Sequence, residues 1–178
     1  IGEAAGVFVA AHTWDRWEET RRLRAQAKSI LEREAVRQFS ADGVNLEQAT
    51  CYHKFTLQFL LAAGLCGRAN GEDFSAAYWS TIESALTFLA SLMDCRGQVP
   101  AIGDADDGEV WCLAHDSDFD SYRSLVAIGA ALFRRTDLSA KARSSGVGND
   151  GQLPWLGLGA PPLYGKGTAN DLPRSFPQ

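Results

Sequence analysis

The chain has 178 residues, with 46 % hydrophobic and 22 % charged residues and a net charge of -5. That is enough for one domain with its own core, and the balance is that of a globular protein, not a disordered one. Without a long basic run or a basic stripe alternating with aromatics, the composition argues against a nucleic-acid binder, while the local field of a cleft could still hold an acidic sugar. No run of eighteen apolar residues exists, so no membrane-spanning helix is expected.

Helical periodicity dominates. Residues 3–12 form a short Ala- and Val-rich segment. Over 14–38, apolar residues recur at Trp14, Trp17, Leu23, Ala27, Ile30, Leu31 and Ala35, with charges between them. This predicts one amphipathic helix with a solvated face. Asp42-Gly43 marks a turn. Thr50 is placed to cap the next helix, predicted over about 51–67 and apolar nearly all round, hence buried. A further helix is predicted over 75–93, stepping through Trp79, Ile82, Leu86, Leu89 and Met93. Residues 98–112, with Pro100, Gly103, Gly108 and four acids, read as an ordered loop. Helices over 120–134 and 138–143 follow. After Ser144, glycines and prolines accumulate, and 145–178 reads as a linker or extended crossing segment. The expected fold class is all-α, built from antiparallel helical hairpins in a domain spanning 1–144.

Two stretches could carry chemistry. In the first, Asn45-Leu46-Glu47-Gln48-Ala49-Thr50-Cys51-Tyr52-His53, polar residues crowd the start of a strongly apolar helix. Unpaired backbone N–H groups and the positive end of the helix dipole favour an anion there. On these residues alone, the simpler reading has Tyr52 packing at the helix entrance and His53 on the surface. The second stretch is Ile102-Gly103-Asp104-Ala105-Asp106-Asp107-Gly108-Glu109. Its spacing fails the calcium-loop pattern, as does 116–120, where Ser121 and Ala127 stand in place of the required Gly and Glu. These acids are better read as capping helices and binding loop backbone, with paired-carboxylate glycosidase chemistry left open. Cys51, Cys66, Cys95 and Cys112 lack zinc spacing and read as small hydrophobes, and His12 and His115 read as structural. There is no serine-nucleophile, phosphate-loop or dinucleotide motif, and neither a cofactor nor a metal is expected.

Taken in order, several motifs resemble the heparinase II/III-like polysaccharide lyases and the related alginate lyases. They are Glu3-Ala4-Ala5-Gly6, Asp42-Gly43, Glu47-Gln48, Tyr52-His53-Lys54-Phe55, Pro100 with 102–108, Arg123-Ser124-Leu125, Gly129-Ala130-Ala131-Leu132-Phe133 and Ser175-Phe176-Pro177. The resemblance implies an incomplete (α/α) toroid, with 145–178 leading toward a β-sandwich domain of the same parent chain. It also implies cleavage of a uronic-acid polymer by β-elimination, in a bacterial periplasmic or secreted enzyme. The substrate would be an acidic polysaccharide: heparin-like, alginate-like or an exopolysaccharide.

In that chemistry a base removes the C5 proton beside the sugar carboxylate, and an acid protonates the leaving oxygen at C4. Donors must neutralise the carboxylate in the transition state. By the resemblance, Tyr52 is the catalytic proton carrier, His53 supports the site, and Glu47 and Gln48 hold the loop or touch sugar hydroxyls. A base role requires the phenol pKa to fall below about 10, and the helix start is expected to contribute to that. The family's carboxylate-neutralising Asn, usually beside a His, precedes the residues matching Glu3, and a further His comes from the β domain. The 178-residue chain alone is therefore expected to catalyse little. Two other readings remain: a glycoside hydrolase on a similar toroid using Asp104 with Asp106 or Asp107, and a non-catalytic sugar-binding scaffold.

Overall fold

The structure, a computed structural model, describes residues 1–113, 119–143 and 152–162. It is all-helical: α1 (Gly2–Thr13), α2 (Glu18–Gln38), α3 (Thr50–Ala69), α4 (Ala76–Leu92), α5 (Ser121–Phe133) and α6 (Thr136–Arg143). Among the described residues the only sheet-like pairing is a lone antiparallel bridge between Phe39 and Asn45.

The predicted helix over 14–38 is shorter. Trp14 ends α1, and Trp17, in extended conformation, starts α2. Trp14, Trp17 and Leu23 are exposed, at 60, 58 and 45 %, whereas Ala27, Leu31 and Ala35 are buried. The apolar repeat therefore overstated the buried stripe: it meets the core only from Ala27 onward, with Ala27, Leu31 and Ala35 buried at four-residue steps and Ile30 packed beside them. With a four-residue turn between them, α1 and α2 pack against each other as an antiparallel pair. Charge ties the pair to the α3–α4 turn. Arg24 Nε lies 3.0 Å from a Glu72 oxygen, and Lys28 Nζ lies 3.7 Å from the other.

The centre of the molecule is α3, as its composition requires. Leu57, Leu60, Leu61 and Ala63 are fully buried. They meet Phe8 of α1, Tyr78, Ile82, Leu86 and Leu89 of α4, and Leu125 and Ile128 of α5 in one core. The Tyr78 hydroxyl donates to the Leu60 carbonyl at 2.6 Å, which satisfies the one polar atom of a buried ring. Helix starts are capped where the residue type allows it. The Ser75 hydroxyl accepts from Tyr78 N, and the Asp120 carboxylate accepts from Arg123 N at 2.8 Å.

Thr50 does not cap α3. Ala49 is the N-cap, and Thr50 is the first helical residue. Its hydroxyl instead accepts from Ile102 N at 3.2 Å, while its own N–H donates to the Ile102 carbonyl at 3.0 Å. The start of α3 is thus closed by the loop that follows α4, fifty residues downstream. Before α3, the chain reverses at residues 40–45. Gly43 has φ +86, and a Cβ there would lie 2.3 Å from the Ser84 carbonyl oxygen of α4, so neither the turn nor its packing admits a side chain.

The described part of the Gly/Pro-rich segment, residues 152–162, packs back on the helices in place of extending from them. Leu153 is buried, and Leu156 and Leu158 pack against the core. Gln152 Nε2 donates to Ser124 Oγ of α5 at 2.8 Å, and its Oε1 accepts from Leu113 N at 3.3 Å. Asp116, Asp118, His115 and the Ser175-Phe176-Pro177 motif lie outside the described residues.

Candidate active site

Twenty residues of helix give α3 two distinct long faces. Cys51, Lys54 and Gln58, spaced three and four apart, share one face. Tyr52, Phe55 and Phe59 share the adjacent one, and all three are half-buried. The Phe55 and Phe59 rings meet edge to face at 4.7 Å. Tyr52 therefore sits in the first turn of α3, at the head of a partly open aromatic stripe.

The first face grips the acid loop. The Cys51 thiol donates to the Asp104 carbonyl at 3.0 Å. Lys54, 4 % exposed, forms an ion pair with Glu109. Gln58, also buried, donates to the other Glu109 oxygen at 2.5 Å and accepts from Val110 N at 3.0 Å. The Lys54 ammonium also lies 5.4 Å from the centre of the Tyr122 ring of α5. At the loop's tight point, Gly103 has φ +72, and a Cβ would lie 2.9 Å from the Ala49 Cβ. Asp106 folds back to accept from Gly108 N at 2.7 Å, the backbone-binding role expected of these acids.

By holding the Asp104 backbone against Cys51, this arrangement brings the Asp104 charge near the Tyr52 phenol. The Asp104 charge foremost, then partial desolvation, then Cys51 and Asp106, holds the phenol pKa above its ordinary value. This is opposite to the lowering that the helix start alone suggested. The nearby carboxylate outweighs the helix end because it is a full charge, against a diffuse half charge. At neutral pH, Tyr52 in this chain carries its proton.

Glu47 and Gln48 are exposed in the turn entering α3. The Asn45 side chain accepts from Glu47 N at 3.0 Å, and Gln48 adopts φ 56, an uncommon value for a residue with a Cβ. The Gln48 carbonyl lies against Gly103, so these residues adjoin the acid loop. Asp104, Asp106 and Asp107 are all exposed.

His53 points the other way. It is 3 % exposed, and its Nε2 donates to the Ala85 carbonyl of α4 at 3.0 Å. Burial lowers its pKa to about 4, so the ring is neutral near pH 7. It sits between Phe39 and Phe88, beneath the site and away from the open side of α3. A pocket of about 120 Å³ lies against it, walled by Val44, Phe88, Leu92 and Ile102, with Asn45 and Gln48 at the entrance turn. His53 Nδ1 and Asn45 Nδ2 are buried with no hydrogen-bond partner among the described residues.

Residues 1–124 of the 178 match the family described as Heparinase II/III N-terminus. The chain belongs to that family. No curated protein and no solved structure gives a significant match. The match spans α1 to α4, the whole acid loop and the first turn of α5, and so includes Tyr52, Lys54, Asp104 and Glu109. For this heparinase II/III-type domain, the sequence pointed to Tyr52 as a candidate and not to the Lys54–Gln58–Glu109 cluster. The available signal was a lysine and a glutamine four apart on a helix otherwise apolar enough to be buried, since such groups enter a core only with partners.

Proposed function

We propose that this chain forms part of the sugar cleft of a polysaccharide lyase that cleaves a uronic-acid polymer by β-elimination, within an (α/α) toroid of helical hairpins. The observation that carries the reading is a half-buried tyrosine in the first turn of α3, on its partly open face and beside the acid loop, in a chain of the heparinase II/III type. In the reaction, a base takes the C5 proton, and the electron pair of that C–H bond becomes the C4=C5 double bond. The C4–O bond breaks, and Tyr52 gives its proton to the departing oxygen. The nearby Asp104 charge disfavours the phenolate, which suits Tyr52 to the role of acid. Glu47 and Gln48, exposed beside the loop, contact sugar hydroxyls. A bacterial periplasmic or secreted setting belongs to the same proposal, as does an alginate-like or glycosaminoglycan-like substrate.

Tyr52→Phe in the full-length protein tests this. The rate of forming ultraviolet-absorbing unsaturated product should fall by about 10²–10⁴, the usual contribution of a positioned proton donor. A variant that keeps the parental rate removes Tyr52 from the mechanism. New reducing ends without ultraviolet-absorbing product would instead assign a hydrolase, with Asp104 and Asp106 or Asp107 as its acids.

A further inference from the structure

The loop that carries Asp104 is held down on one face of α3. From Ile102 to Val110 the loop makes six polar contacts with that helix: two with Thr50, one with Cys51, one with Lys54 and two with Gln58. The Thr50 and Cys51 contacts use loop backbone, which any sequence would offer. The Lys54 and Gln58 contacts converge on one side chain, Glu109, five residues past Asp104. A lysine 4 % exposed and a glutamine 2 % exposed are unusual cargo for a helix core. Neither faces the open side of α3, so neither is placed to touch substrate.

We infer that Lys54, Glu109 and Gln58 are positioning residues that fix the acid loop, and with it Asp104, against the first turn of α3, where Tyr52 sits. An ion pair suits this task better than apolar packing does. Its hydrogen bonds are directional and a buried charge left without its partner is costly, so it defines a register where an apolar contact would allow sliding. The titratable groups that act on the phenol are Asp104 and Asp106 from the loop and Cys51 from α3. Both carboxylates ride on the segment that Glu109 anchors.

The test is the titration of Tyr52 in the full chain, followed by NMR of carbon-labelled tyrosine and assigned with Tyr52→Phe. In the parent protein Tyr52 should titrate above an ordinary phenol, and in Asp104→Asn its midpoint should fall. The informative variant is Lys54→Met combined with Glu109→Gln. It removes both charges and leaves no orphan ion, a replacement that folded proteins tolerate. Its Tyr52 midpoint should fall most of the way to the Asp104→Asn value, with the resonance of the fully buried Tyr78 unmoved. A parental midpoint in that folded variant overturns the inference. Should the double variant not fold, Gln58→Leu, which spares the ion pair, must lower the midpoint part of the way; an unmoved midpoint there overturns the inference equally.

The activity arm alone rests on the lyase reading. Elimination should slow by up to about a hundredfold in kcat, with KM little changed, as expected for a misplaced proton donor. If Tyr52→Phe retains full activity while the midpoints shift as described, the catalytic role of Tyr52 in the lyase reading fails and the positioning role stands.

Discussion

Tyr52 and His53 are neighbours in sequence, and a 100° step of the helix sends them to opposite fates. The phenol goes to the partly open face, where Asp104 raises its pKa. The imidazole goes into the core, where burial lowers its pKa to about 4. The second shift has a consequence for stability. Between the ordinary imidazole value of 6.5 and about 4, the unfolded chain takes up a proton that the folded chain refuses. The unfolded state thus binds more protons, and stability rises with pH across that window. It should fall by up to about 3 kcal/mol as the pH drops from the top of the window to the bottom, and level off below it. Urea denaturation at a series of pH values measures this. His53→Gln should flatten the His53 share of the slope, and an unchanged slope in that variant would show that other groups cause it.

At the scale of elements, the acid loop and α3 behave as one unit, joined at a point that tolerates no side chain. Gly103→Ala would place a Cβ 2.9 Å from the Ala49 Cβ in a backbone with φ +72. The left-handed conformation alone costs a residue with a Cβ about 1–2 kcal/mol. The loop should therefore either strain or lift. Amide exchange at Thr50 and Val110, whose N–H groups bond across this junction, should accelerate, and the urea midpoint should drop. Unaltered protection at both amides would mean that the junction has slack. The motif residues around 102–108 were visible as a loop with acids that bind backbone, and Asp106 does so. Their partner on α3 was not visible, because nothing in a linear pattern says which of several helices a loop crosses. The Thr50 reading failed for the same reason: a threonine before an apolar run looks like a cap, and here its hydroxyl is engaged by a distant N–H.

Across the whole molecule, the chain after α6 contributes to the core. Leu153 is 4 % exposed and Trp155 is 75 % exposed, two residues apart in one turn. Leu153→Ala should destabilise the fold by about 2–5 kcal/mol. Trp155→Ala, despite the larger side chain removed, should change stability by less than about 0.5 kcal/mol. Thermal or urea unfolding of the two variants decides the point; equal losses would mean that this turn is not docked as described. The glycine and proline content of 145–178 suggested a linker, and composition does describe its backbone. It could not reveal that Leu153, Leu156 and Leu158 find a surface to cover.

The sequence by itself determined the helices and the place of Tyr52 among them, because helical periodicity and motif order are properties of neighbouring residues. It could not say that Trp14, Trp17 and Leu23 face water, since the stripe a helix buries depends on what lies opposite. Nor could it give the sign of the pKa shift at Tyr52. That sign is set by the nearest full charge, and the tertiary structure brings that charge from fifty-two positions away.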